Sequence, residues 1–350
     1  MKYVVLIACS FLLSISSFAQ HPDEAIQKVK EGVSLHDKGL FDQAIVKYKE
    51  ALELDKDNIN ALCEIAYSYR ALKKYNESNS YAKRAIETHL DNEFISHAFT
   101  TLGSNYDDVK DTTNALKAFR QGLHYFPDNS ELNFNFGITL TGMDPHYWPE
   151  AEQAFIKCTQ VNPNYPSSYN ALGRLQFMQE KRITGILVLG RFMILEDPGA
   201  RRDKAYDILF KAFTYGYEKT GKKTELVINL NLPDTTEEAK NRPNNFDQVE
   251  MILTIGSAIA SSNKKSDLET LKTSILNLCN ALEEGKATGT GYYWEKYAPF
   301  YIELKNKNFV DTYAELVYIS ANDKKSKKWF KKNESKVREF YNWYFSYGWE

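Results

Sequence analysis

Between Gly32 and Pro198 one pattern returns five times. A small residue recurs at Gly32, Ala66, Gly103, Gly137 and Gly173, at intervals of 34, 37, 34 and 36 residues. A second recurs at Ala44, Ser78, Ala115, Ala151 and Gly185, and a third follows seven residues later at Ala51, Ala85, Gly122, Cys158 and Phe192. Repeats of this length are stacked helix pairs, because one pair cannot bury its apolar face alone. A stack of that kind offers an extended surface for another molecule, so the sequence points to binding as a class of function.

Each copy divides into two helical stretches. In the first, Ala25 to Asp37 and Phe41 to Leu54 flank a stop at Lys38-Gly39. A glycine inside a helix costs about 1 kcal/mol against alanine, so its recurrence implies close helix packing. Tyr48 and Phe119 lie four residues beyond Ala44 and Ala115, one turn along the same face. Asp57-Asn58, Asp91-Asn92 and Asp128-Asn129 suit the turns between pairs.

The clearest copy reads Leu102-Gly103-Ser104-Asn105-Tyr106, then Ala115 with Phe119, then Pro127. The fourth reads Phe136-Gly137, Ala151 with Phe155, then Pro163, and the fifth opens with Tyr169 and Leu172-Gly173. This order resembles the tetratricopeptide repeat, with its small-residue slots, its A-x3-F step and its closing proline. The resemblance implies an all-α fold: a solenoid of about five helix pairs over 25–58, 59–92, 96–129, 130–165 and 166–198. Insertions fall in turns, at Thr141 to Pro145 and near His89 to Ile95, where a helical stack tolerates them.

In the fifth copy Ile183 to Leu195 is apolar beyond one face. A helix apolar nearly all round is buried on several sides, so the second half is expected to pack against it. The array is therefore assigned to 20–198 and a helical, aromatic-rich C-terminal domain to 199–350. Within that domain Asp203 to Tyr217 reads as a helix. Thr224 to Pro233 alternates as one short extended segment. Helices are then expected over Phe246–Ser261, Ser266–Glu284, Tyr292–Asn306, Phe309–Ala321 and Ser326–Tyr347. The order loosely resembles the C-terminal halves of exported repeat proteins of Bacteroidota, which assigns no chemistry.

Met1 to Ala19 reads as a signal peptide: Met1-Lys2, an apolar stretch to Phe18, and small residues at Ser17 and Ala19. Cleavage before Gln20 is expected, giving a periplasmic or secreted protein with no integral membrane span. Formal net charge is −2, from 44 basic and 46 acidic residues, which gives no general pull toward nucleic acid. After cleavage Cys63, Cys158 and Cys279 remain, an odd and widely spaced set that is no disulfide framework.

The first helix of each pair is expected to line the groove, with residues at i, i+3, i+7 and i+10 on one face. The groove-binding candidates are Asn60, Tyr67 and Arg70; His97, Ser104 and Asp107; Glu131 and Phe134; and Asn170, Arg174 and Phe177. Cys63, Thr100 and Ile138 share the same spacing, and Ile26, Val29 and Val33 take these places in the first copy. Such a mixed face suits an extended peptide or sugar chain. Ile26, Val29 and Val33 in the first copy are not the Lys and Asn residues with which some such arrays clamp a C-terminal carboxylate.

From Tyr292 to Trp349 there are 18 aromatic residues, including four of the five tryptophans. They read as a ring-rich core; the alternative is a platform for glycan through Trp294 or Trp343. Lys324, Lys325, Lys327, Lys328, Lys331 and Lys332 read as a solvated helix face. No H-E-x-x-H, G-x-S-x-G, P-loop or S-x-x-K motif is present. The expectation is a non-catalytic scaffold, without cofactor or metal, that holds a protein or peptide partner; the alternative is a polysaccharide-binding envelope protein.

Overall fold

A computed structural model describes residues 21–215, 217–220, 225–228, 232–234, 236–262, 266–319 and 324–349. The expected signal peptide lies outside the described residues. The chain separates into two compact units, one ending at Val161 and one beginning at Asn162. That division falls one helix pair before the end of the repeats read from sequence.

The first unit is a run of helix pairs: α1 (His21–His36) with α2 (Phe41–Leu54), α3 (Ile59–Ala71) with α4 (Tyr75–His89), α5 (Ile95–Asp108) with α6 (Thr112–Tyr125), and α7 (Ser130–Thr141) with α8 (Trp148–Val161). The first helices stack side by side, α1 on α3, α3 on α5 and α5 on α7. Each of α2, α4 and α6 packs against its own first helix and against the next. First helices therefore form one continuous layer and second helices another.

Spacing within a pair is set by a ring lying over a glycine. A Cβ on Gly103 would sit 2.7 Å from the Phe119 ring, and one on Gly137 2.6 Å from Phe155. Tyr48 covers Gly32 in the same way. In the second pair Ala66 and Ala82, both fully buried, take these two places.

Turns within pairs are equally regular. Gly39, Lys73 and Lys110 all adopt left-handed backbone, with φ of 75°, 58° and 64°. In each, the residue's N–H bonds the carbonyl three residues back and the next N–H bonds the carbonyl five back, as in Lys73 to Arg70 (2.8 Å) and Lys74 to Tyr69 (2.9 Å). These bonds satisfy carbonyls that the helix end leaves free. The fourth pair, with its two extra residues, uses a 3-10 turn at Pro145–Tyr147 instead. Asn58 and Asn129 cap α3 and α7, accepting bonds from Ala61 N (3.0 Å) and Leu132 N (2.9 Å).

The second unit opens with the fifth pair, α9 (Pro166–Met178) and α10 (Arg182–Leu195). Its turn repeats the left-handed step at Glu180, φ 60°. Every residue of α10 from Arg182 to Ile194 is buried. Partners come from α9, α11 (Ala200–Phe213), α13 (Asp247–Ser262) and α17 (Val310–Tyr318), so the second half does pack against this helix. Tyr301 Oη donates to Leu187 O (3.1 Å) and lies 3.1 Å from Tyr313 Oη. The two hydroxyls occupy the space a side chain at Gly190 would need.

Four sequence expectations change here. The helix expected to run to Tyr217 stops at Phe213. Tyr217–Thr220 forms β1, antiparallel to β2 (Glu225–Ile228), with Tyr217 opposite Ile228. The extended segment is thus one arm of a hairpin; its partner strand Tyr-Glu-Lys-Thr has no apolar alternation to betray it. The helix expected over Tyr292–Asn306 is broken into α15 (Tyr292–Lys296) and α16 (Ala298–Asn306), where Pro299 has no N–H to continue the first. The last expected helix is likewise divided, into α18 (Lys324–Lys332) and α19 (Glu334–Ser346). The remaining elements are the short α12 (Glu237–Asn241) and the long α14 (Asp267–Gly285), on which α13, α16 and α17 pack.

The α16–α17 link repeats the turn of the array. Asn308 has φ 56°, Asn308 N bonds Lys305 O and Phe309 N bonds Leu304 O, both at 2.9 Å. Tyr301 and Tyr313 stand where the repeats carry their small residues, seven before the turn and twelve apart. This is a further helical hairpin with the same turn but bulky slots.

If the ring-over-glycine contact sets pair spacing, Gly103→Val should destabilise the chain by about 1–3 kcal/mol through overpacking. Urea unfolding of the full chain measures this, and an unchanged midpoint would remove the close-approach argument.

Candidate functional site

The stacked first helices of the first unit place eight of the eleven candidates on one layer. Asn60, Tyr67, His97 and Glu131 are exposed; Arg70, Ser104, Asp107 and Phe134 are half-buried. Two residues sharing their spacing, Cys63 and Thr100, are buried. Burial pushes the Cys63 thiol up to about 12, so it is a packing residue at neutral pH. The open position beside Asn60 belongs to Glu64, four residues on rather than three.

Polar or aromatic contacts bridge each step between successive first helices. From α1 to α3, His36 Nδ1 lies 2.8 Å from Ser68 Oγ, and the His36 ring stacks on Tyr67 with centroids 4.9 Å apart and planes at 17°. From α3 to α5, Arg70 donates to Asp108 Oδ2 at 3.0 Å. From α5 to α7, His97 Nδ1 lies 2.9 Å from Glu131 Oε2. Sequence reasoning missed His36, Glu64 and Asp108; the i+10 position of α1, the i+4 position of α3 and the i+11 position of α5 are where they could have been found.

Glu64 is half-buried. Burial raises its carboxyl above the usual range, while His36, the Tyr48 hydroxyl and His97 pull it back. Tyr48 Oη, at the far end of the ring that covers Gly32, donates to Glu64 Oε2 at 3.4 Å. His97 is shifted upward by its bond to Glu131, against the opposing effect of burial. Apolar side chains also remain open here: Tyr67 is 51% exposed, Ile138 45% and Ile26 44%.

The other three candidates stand on α9 in the second unit. Arg174 is exposed and Asn170 half-buried. Phe177 is a packing residue: its ring lies 2.7 Å from where Gly185 would carry a Cβ. Phe134, in the first unit, is partly committed in the same way, meeting Phe155 at a centroid distance of 6.1 Å.

The C-terminal rings form a core. Phe300 stacks on Trp343 (5.0 Å, 12°) and meets Tyr344, Tyr347 and Trp349. Trp343 Nε1 donates to Glu303 Oε1 at 2.8 Å. Trp294 stacks on Phe246 (4.5 Å, 6°), has Gly289 against its ring atoms, and donates to Asn245 O at 2.8 Å. A cavity of about 420 Å³ borders it, lined also by Arg242, Phe246, Met251, Thr288 and Thr290. With Trp294 packed between Phe246 and Gly289, that cavity meets no open indole face on which a sugar could stack.

The α10 helix also buries cations that its apolar composition conceals. Arg182 Nε lies 3.0 Å from Glu250 Oε1 and its Nη2 donates to Thr254 Oγ1 at 2.9 Å. Arg191 donates to Pro163 O at 2.7 Å and lies 3.5 Å from the centre of the Trp349 ring. Both arginines pin α10 within the second unit. Among the described residues no group of His, Cys, Asp or Glu is placed to hold a metal, and no helix is long and apolar enough to cross a membrane.

Comparison with known proteins matches residues 32–73 to the family described as TPR repeat. Among curated proteins, the chain is 29% identical over 110 residues to stress-induced-phosphoprotein 1 of Caenorhabditis elegans, covering 30% of this chain and 34% of that one. It is 25% identical over 130 residues to the general transcriptional corepressor trfA of Dictyostelium discoideum, covering 37% of this chain and 9% of that one. The chain thus spans about a third or less of these relatives. Among solved structures, Pseudomonas aeruginosa PilF aligns over 56% of this chain and 82% of its own, with 16% identity and a TM-score of 0.46. YrrB, described as a TPR protein with an unusual peptide-binding site, aligns over 52% and 91%, with 19% identity and a TM-score of 0.38. By the family match and the recurring pair geometry, this chain carries tetratricopeptide repeats.

Proposed function

We propose that the layer formed by α1, α3, α5 and α7 holds an extended segment of a protein partner, and that the chain is an exported, non-catalytic scaffold. The observation that carries this reading is Tyr67. Its ring is 51% exposed yet held in one orientation by stacking on His36. A large ring fixed before binding offers contact area at little entropic cost. Ile138 and Ile26 add open apolar surface, and Asn60, His97 and Ser104 supply hydrogen-bonding groups. Residues bridging one helix to the next tie the platform together.

A photo-crosslinking side chain at position 67 tests this in native cells. It is expected to capture a defined partner that the same group at Glu87, on the exposed face of α4, does not. Equal capture from both positions would refute the groove. Export is tested separately by the intact mass of the mature protein, which should begin at Gln20.

The His97–Glu131 bridge makes the platform pH-dependent. His97 has its pKa raised in the folded state, so its contribution is present below the ordinary histidine pKa near 6.5 and is lost as pH rises through the raised value. Glu131→Gln should therefore lower the melting temperature at pH 5.5 and leave it nearly unchanged at pH 8.5. A loss equal at both pH values would show that the pair does not couple the helices by charge.

A further inference from the structure

We infer that α18 is a cationic face by which the chain docks on an anionic lipid surface. Six of its nine residues are lysine and none is acidic. A helix turns about 100° per residue. On that register positions 324, 325, 327, 328, 331 and 332, all lysine, fall within one arc of about 160°, and Ser326, Trp329 and Phe330 take the opposite side. Lys328, Lys331 and Lys332 are exposed, and among the described residues no salt bridge reaches them. The helix packs against α19, whose first acid, Glu334, is already bonded by Arg338 at 3.1 Å. Nothing described on either helix neutralises the lysine arc.

Charge elsewhere in the chain sharpens this face. Setting the six lysines aside leaves 38 basic against 46 acidic residues, a formal charge of −8. An anionic surface attracts α18 and on balance repels the remainder, so the chain approaches it by this helix.

Trp329 and Phe330 select the kind of surface. Both rings are half-buried and meet edge-on, with centroids 5.2 Å apart and planes at 80°. On the helical register one borders each side of the lysine arc. A bilayer interface satisfies both kinds of side chain, with ammonium groups at the phosphates and rings in the layer beneath. A soluble polyanion offers charge to the lysines and no apolar layer to the rings. Clusters of four to eight basic residues on one amphipathic helix are of the size that holds anionic headgroups.

The probes are vesicles of phosphatidylcholine alone and vesicles with about a third of it replaced by phosphatidylglycerol, sedimented with the full chain. The mixed vesicles are expected to carry the chain down and the neutral ones not, with binding weakening as salt is raised. A lysine near such a surface is worth about fivefold in binding. Combined Lys328→Gln, Lys331→Gln and Lys332→Gln should therefore weaken binding by roughly a hundredfold. Lys117→Gln, Lys204→Gln and Lys286→Gln together remove the same charge from exposed positions elsewhere and should change it less than about threefold. Brominated acyl chains are expected to quench tryptophan fluorescence of the bound chain. Trp329→Phe, which keeps a ring, should bind within about twofold and lose that quenching. Thermal melts establish that each variant folds. Equal binding to both vesicles, binding to neither, or equal losses from the two triple variants overturns the inference. Binding without quenching through Trp329 also overturns it and marks a site for soluble polyanions instead.

Discussion

A ring lying on a glycine is the contact on which the first unit depends. Tyr48 on Gly32, Phe119 on Gly103 and Phe155 on Gly137 leave no room for a Cβ. Each fixes how closely a second helix approaches its first. Because the contact recurs at a constant place, each pair has the same shape and presents the same edge to the next. First helices are then forced into one layer, and their outward positions into one surface. The groove candidates follow from this: a side chain on α5 neighbours one on α7 because both helices were set down by the same internal contact.

The second unit uses the same vocabulary with larger words. Its fifth pair keeps the left-handed turn at Glu180, but Leu189 replaces the ring opposite Gly173. The α16–α17 hairpin keeps the turn too, at Asn308, yet fills both small slots with tyrosine. These tyrosines meet each other across the hairpin, with ring centroids 5.9 Å apart, and press their hydroxyls onto Gly190 of α10. A glycine that admits a neighbour within a pair here admits a neighbour from a distant part of the chain. Burial of the α10 helix, with Arg182 paired to Glu250 and Arg191 against Trp349, follows from that close packing.

Function divides along the same line. In the first unit large side chains stay open, as at Tyr67 and Ile138, because first helices pack through their small residues and leave their outer positions uncovered. In the second unit most of the aromatic residues are spent on one another, while Tyr215 and Phe345 stay open, each 63% exposed. Phe300 alone gathers rings from Tyr301, Tyr313 and the last helix, and Trp294 is packed between Phe246 and Gly289. Density of aromatic residues along a chain therefore says little about which rings are open to a partner.

The repeat period, the small-residue slots and the insertions in turns were legible in the sequence, because each is a local demand that a stacked pair makes at a fixed position. The burial expected for Ile183 to Leu195 was legible for the same reason: apolar residues on every side of a helix require cover. What covered it was not legible, since Tyr301 and Tyr313 reach α10 from more than a hundred residues away. The β1 strand was hidden because its residues gain an extended form only from pairing with β2. Among the candidates, helical spacing placed Asn60, Tyr67, His97 and Glu131 on the open layer. It could not distinguish Glu64 from Cys63, one residue apart, or show that His97 meets Glu131 and Arg70 meets Asp108. Spacing along one helix fixes a face to within a residue. Which residue on that face meets another molecule is decided by the neighbouring helix, and only the tertiary structure sets that.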